Sequence, residues 1–104
     1  MAINVTKNNF KAEVIDSKIP VLVDFFADWC GPCQMLGKSL ENLEMNYGER
    51  IKFVKINVDE CPDLAMEYSV SSIPAVKLFY KGKIQGEVTG NNIPDIRVML
   101  ADYI

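Results

Sequence analysis

The chain has 104 residues, 49% of them hydrophobic, which is enough apolar material for the core of one domain spanning residues 1–104. Its 24% of charged residues excludes a disordered or fibrous protein, and the net charge of −3 without a basic cluster argues against nucleic acid binding. The chain has no histidine, and this absence excludes Ser-His-Asp and Cys-His catalysis as well as zinc sites with imidazole ligands.

The hydrophobic pattern of the first half predicts three strands and two helices. A short strand at 3–5 precedes a helix that Thr6 caps and that runs to about Asp16. An almost wholly apolar strand at 21–27, typical of a strand buried on both faces, leads into a long helix that ends at Gly48. A third strand is predicted at 51–58.

The second half predicts a short helix, a hairpin and a final helix. The short helix starts at Cys61-Pro62, the hairpin joins strands 75–80 and 84–88 through Lys81-Gly82, and the last helix begins near Ile93. The order is therefore β-α-β-α-β-α-β-β-α. Helical crossovers between the early strands and a late hairpin predict an α/β fold, a three-layer α/β/α sandwich around a central mixed sheet.

The number of cysteines and the length of the apolar runs indicate the cellular compartment of the protein. Three cysteines are too few, and an odd number, for a secreted domain held together by disulfides. The first residues lack the basic and apolar runs of a signal peptide, and the apolar stretch 19–27 is too short to cross a membrane. We therefore expect a cytoplasmic protein without membrane association.

Cys30 and Cys33 lie where a buried strand passes into a helix. Residues three apart in the first helical turn share a face and are close enough to form a disulfide. So small a loop gains only about 2 kcal/mol of stability, which favours a bond that opens and closes over a structural one. The helix N-terminus favours thiolate, Pro32 stiffens the turn, and Gly31 allows close approach to the sulfur.

Zinc binding is the alternative for this cysteine spacing. A zinc site needs a second pair of ligands, and only Cys61 remains in a chain without histidine. We therefore expect no metal and no cofactor. Cys61 itself is interpreted as a partly buried free thiol, with a regulatory or dimer-forming disulfide as the alternative.

Asp24 places a single carboxylate inside the apolar strand at 21–27. If the side chain is buried, desolvation raises its pKa and makes it a proton acceptor near neutral pH. The alternative is an aspartate at a solvated strand edge, where the pKa would stay low.

Several separated motifs occur together in the chain: Trp29-Cys30-Gly31-Pro32-Cys33, Asp24 six residues before Cys30, Lys55 on the next strand, Ile73-Pro74, and Gly90. In their order and spacing they resemble the thioredoxin family, over essentially the whole chain. The chain departs from the family at Gly37-Lys38, because thioredoxins commonly carry a helix-kinking proline at the position of Lys38.

This resemblance implies a thiol–disulfide oxidoreductase that reduces protein disulfides and supplies electrons to its clients. Cys30, at the outer end of the helix, is the expected nucleophile, and Cys33 then displaces the captured partner. The resemblance further implies that Asp24 takes the proton of Cys33 and that Lys55 is the charge partner of Asp24. A solvated lysine on an exposed strand end is the alternative for Lys55.

The family match also implies a substrate groove formed by Trp29, Ile73, Pro74 and Gly90, with the bond before Pro74 in cis. An extended client peptide would pair with the backbone of Ile73 there. A core position is the alternative for Trp29, the only tryptophan. The expected partners of a monomeric chain are disulfide-containing clients and a thioredoxin reductase that recharges the dithiol.

Two other functions remain open at this point. A disulfide oxidase or isomerase has the same fold but runs the exchange in the other direction, and the measured reduction potential separates it from a reductase. A docking subunit without enzymatic activity would use the groove around Trp29 and tolerate loss of both cysteines. Met35 and Met45, at helical spacing with leucines, are predicted to lie in the core.

Overall fold

The computed structural model describes residues 2–104, which contain five strands and three α-helices. The strands are β1 (Ile3–Asn4), β2 (Val21–Phe26), β3 (Lys52–Asn57), β4 (Ala75–Tyr80) and β5 (Lys83–Thr89). The helices are α1 (Gly31–Tyr47), α2 (Pro62–Glu67) and α3 (Ile93–Leu100), with a π-helical segment at Lys11–Ile15 and a 3-10 turn at Ala101–Tyr103.

The strands form one mixed sheet in the order β1-β3-β2-β4-β5. Strands β1, β3 and β2 are parallel to one another, as expected where helices connect strands, whereas β4 is antiparallel to both β2 and β5. The register of the central strand places Asp24 opposite Lys55 of β3 and Val76 of β4.

Strand β2 lies at the centre because nearly every side chain on it can be buried. Val21, Val23 and Phe25 belong to the apolar cluster on the side of the π-helical segment and α2. Leu22, on the other face, belongs to the cluster that includes buried residues of α1 and α3. Since side chains alternate across a strand, an apolar run of this kind requires cover on both faces. The predicted three-layer α/β/α sandwich is confirmed.

The predicted helix from Thr6 to Asp16 is wrong in its first half. The Thr6 hydroxyl accepts a hydrogen bond from the amide of Asn8, and the Asn9 side chain accepts one from the amide of Thr6. Such local side-chain bonds stabilise a turn in competition with helical bonds. Helical structure begins only at Lys11, where the amide of Asp16 bonds the Lys11 carbonyl.

The prediction that Met35 and Met45 lie in the core is also wrong. Met35 is 64% exposed and Met45 is 84% exposed, whereas Leu36, Leu40 and Leu43 of the same helix are buried. Each helical position is rotated by about 100° from the last, so Met35, one position before Leu36, and Met45, two positions after Leu43, turn toward solvent.

The helix ends are capped by residues that suit their positions. Cys30 precedes α1, with Pro32 in the first turn, and the Asn92 side chain accepts a hydrogen bond from the amide of Asp95 at the start of α3. Across residues 2–104, the helices are all too short or too polar to cross a lipid bilayer.

Candidate functional site

The candidate site lies beyond the carboxyl end of β2, where the chain turns into α1. Cys30 and Cys33 form a disulfide there, with their Cα atoms 5.2 Å apart. The Cys30 sulfur also accepts a hydrogen bond of 3.2 Å from the amide of Cys33, one of the donors that a helix N-terminus leaves without a backbone partner. Negative charge that develops on this sulfur is therefore stabilised by the helix.

The two cysteines are almost equally covered in the oxidised chain. Cys30 is 5% exposed and Cys33 is 3% exposed, so exposure alone does not distinguish an attacking from a resolving sulfur. Their positions do differ, since Cys30 precedes the helix as its cap and Cys33 lies within the first turn. Both pack against the buried Ala27 and the half-buried Phe26 and Ile73, while Gly31 and Pro32 are exposed.

Asp24 is buried on β2, on the same side of the sheet as α1. It is 7% exposed, and its Oδ1 atom makes no hydrogen bond to any described residue. Burial raises the pKa of Asp24 from 3.8 to about 7, while the positive charge of Lys55 lowers it in part. The alternative of a solvated strand edge is therefore wrong, and this carboxyl group changes its protonation state near neutral pH.

One cavity is bordered by both Asp24 and Cys33. Its lining includes both Asp24 and Cys33, together with Lys55, Gly37 and the exposed Gln34. Asp24 and Cys33 therefore border one space that is large enough to hold water.

Lys55 lies on β3 beside Asp24 in the register of the sheet and is half-buried. Its Nζ atom stands 5.7 Å from the centre of the Phe26 ring, close enough for a favourable cation–π contact. The alternative of a freely solvated lysine does not describe this residue, whose charge acts on Asp24 and whose stem packs beside the site.

Trp29 is exposed, and its indole is held by a residue that the sequence analysis missed. Its side chain is 73% exposed, and its Nε1 atom donates a 2.9 Å hydrogen bond to Oδ2 of Asp59. Asp59 follows β3, and the carboxyl ends of the parallel strands β2 and β3 lie at one edge of the sheet. That shared edge was the signal by which Asp59 could have been found.

A second wall of the site is formed by the segment before β4 and by Gly90. The peptide bond between Ile73 and Pro74 is cis, and Ile73 packs in the cysteine cluster. The Pro74 carbonyl accepts a 2.7 Å hydrogen bond from the amide of Gly90. Gly90 has a φ of +91°, a conformation that favours glycine. This bond holds the predicted groove residues Pro74 and Gly90 together.

Cys61 is separate from this site. Its thiol is free, and the residue is buried in the cluster on the opposite face of the sheet, as predicted for a thiol that packs as a small apolar group. Within residues 2–104, no three or more Cys, Asp or Glu side chains are grouped so that they could hold a metal ion.

Comparisons with known proteins agree on one family. The thioredoxin family model matches residues 1–101. A thioredoxin of Rickettsia felis is 46% identical over 83 residues, which cover 80% of this chain and 79% of the relative. Thioredoxin 1 of a Nostoc species is 45% identical over 89 residues, covering 86% and 83%, respectively. Thioredoxin C-2 of Corynebacterium nephridii is 41% identical over 88 residues, covering 85% and 82%.

Proposed function

The chain belongs to the thioredoxin family and is a thiol–disulfide oxidoreductase that reduces protein disulfides, and from this premise we propose a role for each residue of its site. Cys30 is the nucleophile and Cys33 the resolving thiol. The observation that carries this assignment is the hydrogen bond from the Cys33 amide to the Cys30 sulfur at the start of α1. A donor aimed at a sulfur favours the thiolate, which is the reactive form.

In the first step the Cys30 thiolate attacks one sulfur of a client disulfide. A mixed disulfide forms between Cys30 and the client, and the other client sulfur leaves as a thiolate that takes a proton from solvent. The exposed Gly31 and Pro32 carry no bulky side chain that would keep the client away from Cys30.

In the second step the Cys33 thiol gives its proton to Asp24, through water in the cavity that both residues line. The Cys33 thiolate then attacks the Cys30 sulfur, the disulfide between Cys30 and Cys33 forms, and the second client sulfur leaves and is protonated. A carboxyl group with a pKa of about 7 is matched to this transfer at neutral pH, and the charge of Lys55 keeps part of it ionised.

The client lies across a groove between Trp29 on one side and Ile73, Pro74 and Gly90 on the other. The indole of Trp29 offers an exposed apolar face that Asp59 holds in place. An extended client peptide that pairs with the backbone near Ile73 would place its disulfide over the cysteine pair. Trp29, Ile73 and Gly90 thus select the client, whereas the two cysteines perform the exchange.

A thioredoxin reductase returns two electrons to the disulfide after each turnover, and the chain acts as a monomer. The clients are proteins that contain disulfides. We assign the chain to the cytoplasm, because three cysteines are too few, and an odd number, for a secreted domain held together by disulfides.

A Cys33→Ala variant tests the proposed roles, because its mixed disulfide with a client cannot be resolved. With a defined disulfide-containing protein as substrate, we expect a covalent adduct on Cys30 that reductant releases. The matched control is Cys61→Ser in the same background, which keeps the adduct because the third thiol takes no part. An adduct that forms on Cys61, or that persists after Cys30→Ser, contradicts the assignment.

The direction of exchange is measured separately. The reduction potential of the Cys30–Cys33 pair, equilibrated against glutathione, is expected to lie below that of the glutathione pool, so that electrons flow from this chain to clients. A potential above the glutathione couple would identify an oxidase or isomerase. Full cellular function of a variant that lacks both Cys30 and Cys33 would identify a docking subunit.

A further inference from the structure

Asp24 borders two cavities, and the proposed mechanism uses only one of them. Both cavities are lined by Asp24, Gly37 and Lys55. The first reaches Cys33, as described above. The second extends between α1 and β3 and does not include either active-site cysteine in its lining. Its other lining residues are Ala2, Leu22, Leu40, Glu41, Glu44, Phe53 and Val54.

The second cavity can hold water beside the carboxyl group. It offers about 60 Å³ to water, whereas a single water molecule requires roughly 15 Å³. Its lining includes Lys55 and also Asp24, whose carboxyl atom Oδ1 makes no hydrogen bond within residues 2–104. A buried carboxyl oxygen without a protein partner is stabilised when water reaches it.

Gly37 keeps this side of Asp24 open. A Cβ atom added at Gly37 would meet no other group within 4 Å, so the space where a side chain would stand is empty. Glycine is less favourable than alanine inside a helix. At this position the missing side chain leaves room between α1 and the carboxyl group.

We propose that Gly37 is a positioning residue for the exchange reaction, because it keeps the second cavity open as the route by which the Asp24 proton reaches solvent. This proposal rests on the proposed role of Asp24. After Cys33 loses its proton, the new O–H bond on Asp24 breaks, and the proton passes to water in the second cavity. Asp24 is then ionised again for the next turnover.

Charged side chains from several elements surround Asp24 and the second cavity. Lys55 approaches from β3, the exposed Glu41 and the half-buried Glu44 line the second cavity from α1, and Asp28 lines the first cavity. From β4 the facing residue is the apolar Val76. The two glutamates place polar side chains along the second cavity, which does not reach Cys33.

Gly37→Ala and Gly37→Leu test the proposal, because each adds a side chain where α1 borders the cavities beside Asp24, and leucine occupies more of that space than alanine. Burial is the main cause of the raised pKa of Asp24, so further loss of water should raise it again, more for leucine than for alanine. A one-unit rise lowers the ionised fraction at pH 7 from about one half to about one tenth, so resolution of the mixed disulfide slows about fivefold.

Two measurements follow the effect in the full chain. The Asp24 carboxyl resonance, recorded against pH by ¹³C NMR, gives the pKa, and stopped-flow kinetics give the rate of resolution. The rates of variant and wild-type chains should converge above pH 9, where Asp24 is ionised in both. A general disturbance of the fold would slow the reaction at every pH.

Ser39→Ala is the matched control, since Ser39 lies on the same helix and lines neither cavity. It raises helix propensity as Gly37→Ala does, but it should leave the pKa and the rate unchanged. In an Asp24→Asn background, the Gly37 substitutions should have no further effect on resolution. An unchanged pKa and rate in folded Gly37→Ala and Gly37→Leu would overturn the role of Gly37. An unchanged rate in Asp24→Asn would instead overturn the proposed role of Asp24.

Discussion

Asp24 couples the stability of this fold to its chemistry. The native carboxyl group has a pKa of about 7 against 3.8 without burial. Between these values the native state binds more protons than the unfolded state, so the free energy of unfolding falls as pH rises. The pKa difference of about three units corresponds to a destabilisation of about 4 kcal/mol, which is present in full above pH 7. The chain thus retains a destabilising residue beside its reactive dithiol.

Replacing Asp24 with asparagine should therefore stabilise the fold while slowing resolution of the mixed disulfide. The variant and wild type should unfold with similar free energies near pH 4, and the variant should gain up to about 4 kcal/mol by pH 8. Denaturant unfolding at several pH values measures this. Asp28→Asn, which changes an exposed carboxylate nearby, should show no such trend. A variant that is less stable at pH 8 and fully active would contradict the buried-acceptor role.

The hydrogen bond between Trp29 and Asp59 gives a second prediction for single residues. Asp59→Ala leaves the indole free to rotate, so we expect the KM for a protein disulfide to rise about threefold to fivefold with kcat nearly unchanged. Steady-state kinetics separate the two parameters. Asp59→Asn keeps an oxygen acceptor for Trp29 and should restore most of the affinity. Equal KM values for the alanine and wild-type chains would show that the indole needs no support.

Among the elements, helix α3 is stabilised by its N-cap residue, Asn92. The Asn92 side chain accepts a hydrogen bond from the amide of Asp95, and its Nδ2 atom donates to the Asp95 carboxylate. Asn92→Ala should therefore lower the free energy of unfolding by about 1 kcal/mol. Thermal or denaturant unfolding measures the loss. Asn91→Ala, one position earlier on the exposed surface, is the control and should be close to neutral.

The elements also show how far the sequence alone predicts this structure. The apolar run that requires cover on both faces of β2, and the Cys30–Cys33 pair at the start of α1, are local patterns. The layers of the sheet and the location of the site could therefore be predicted from them. The helix expected from Thr6 to about Asp16 begins later than predicted, because residues 7–9 form a turn in which the Thr6 and Asn9 side chains accept hydrogen bonds from backbone amides. Hydrophobic periodicity does not reveal such bonds. Asp59 was missed because its contact with Trp29 joins loops 30 residues apart.

At the scale of the whole molecule, the redox state should change global stability. The disulfide between Cys30 and Cys33 closes a very small loop, for which the chain-entropy model gives about 2 kcal/mol. When denaturant unfolding is followed in each state, we expect the free energy of unfolding of the oxidised chain to exceed that of the reduced chain by about that amount. Cys33→Ala should unfold identically with and without reductant. A larger difference would mean that reduction also loosens the packing around the site.

Trp29 also provides an optical probe of the reaction. It is the only tryptophan of the chain, it is next to Cys30, and its indole is exposed yet held in one orientation. Fluorescence excited near 295 nm therefore originates at the active site alone. Because a neighbouring disulfide quenches indole emission, opening and closing of the Cys30–Cys33 bond can be followed in real time without any attached dye.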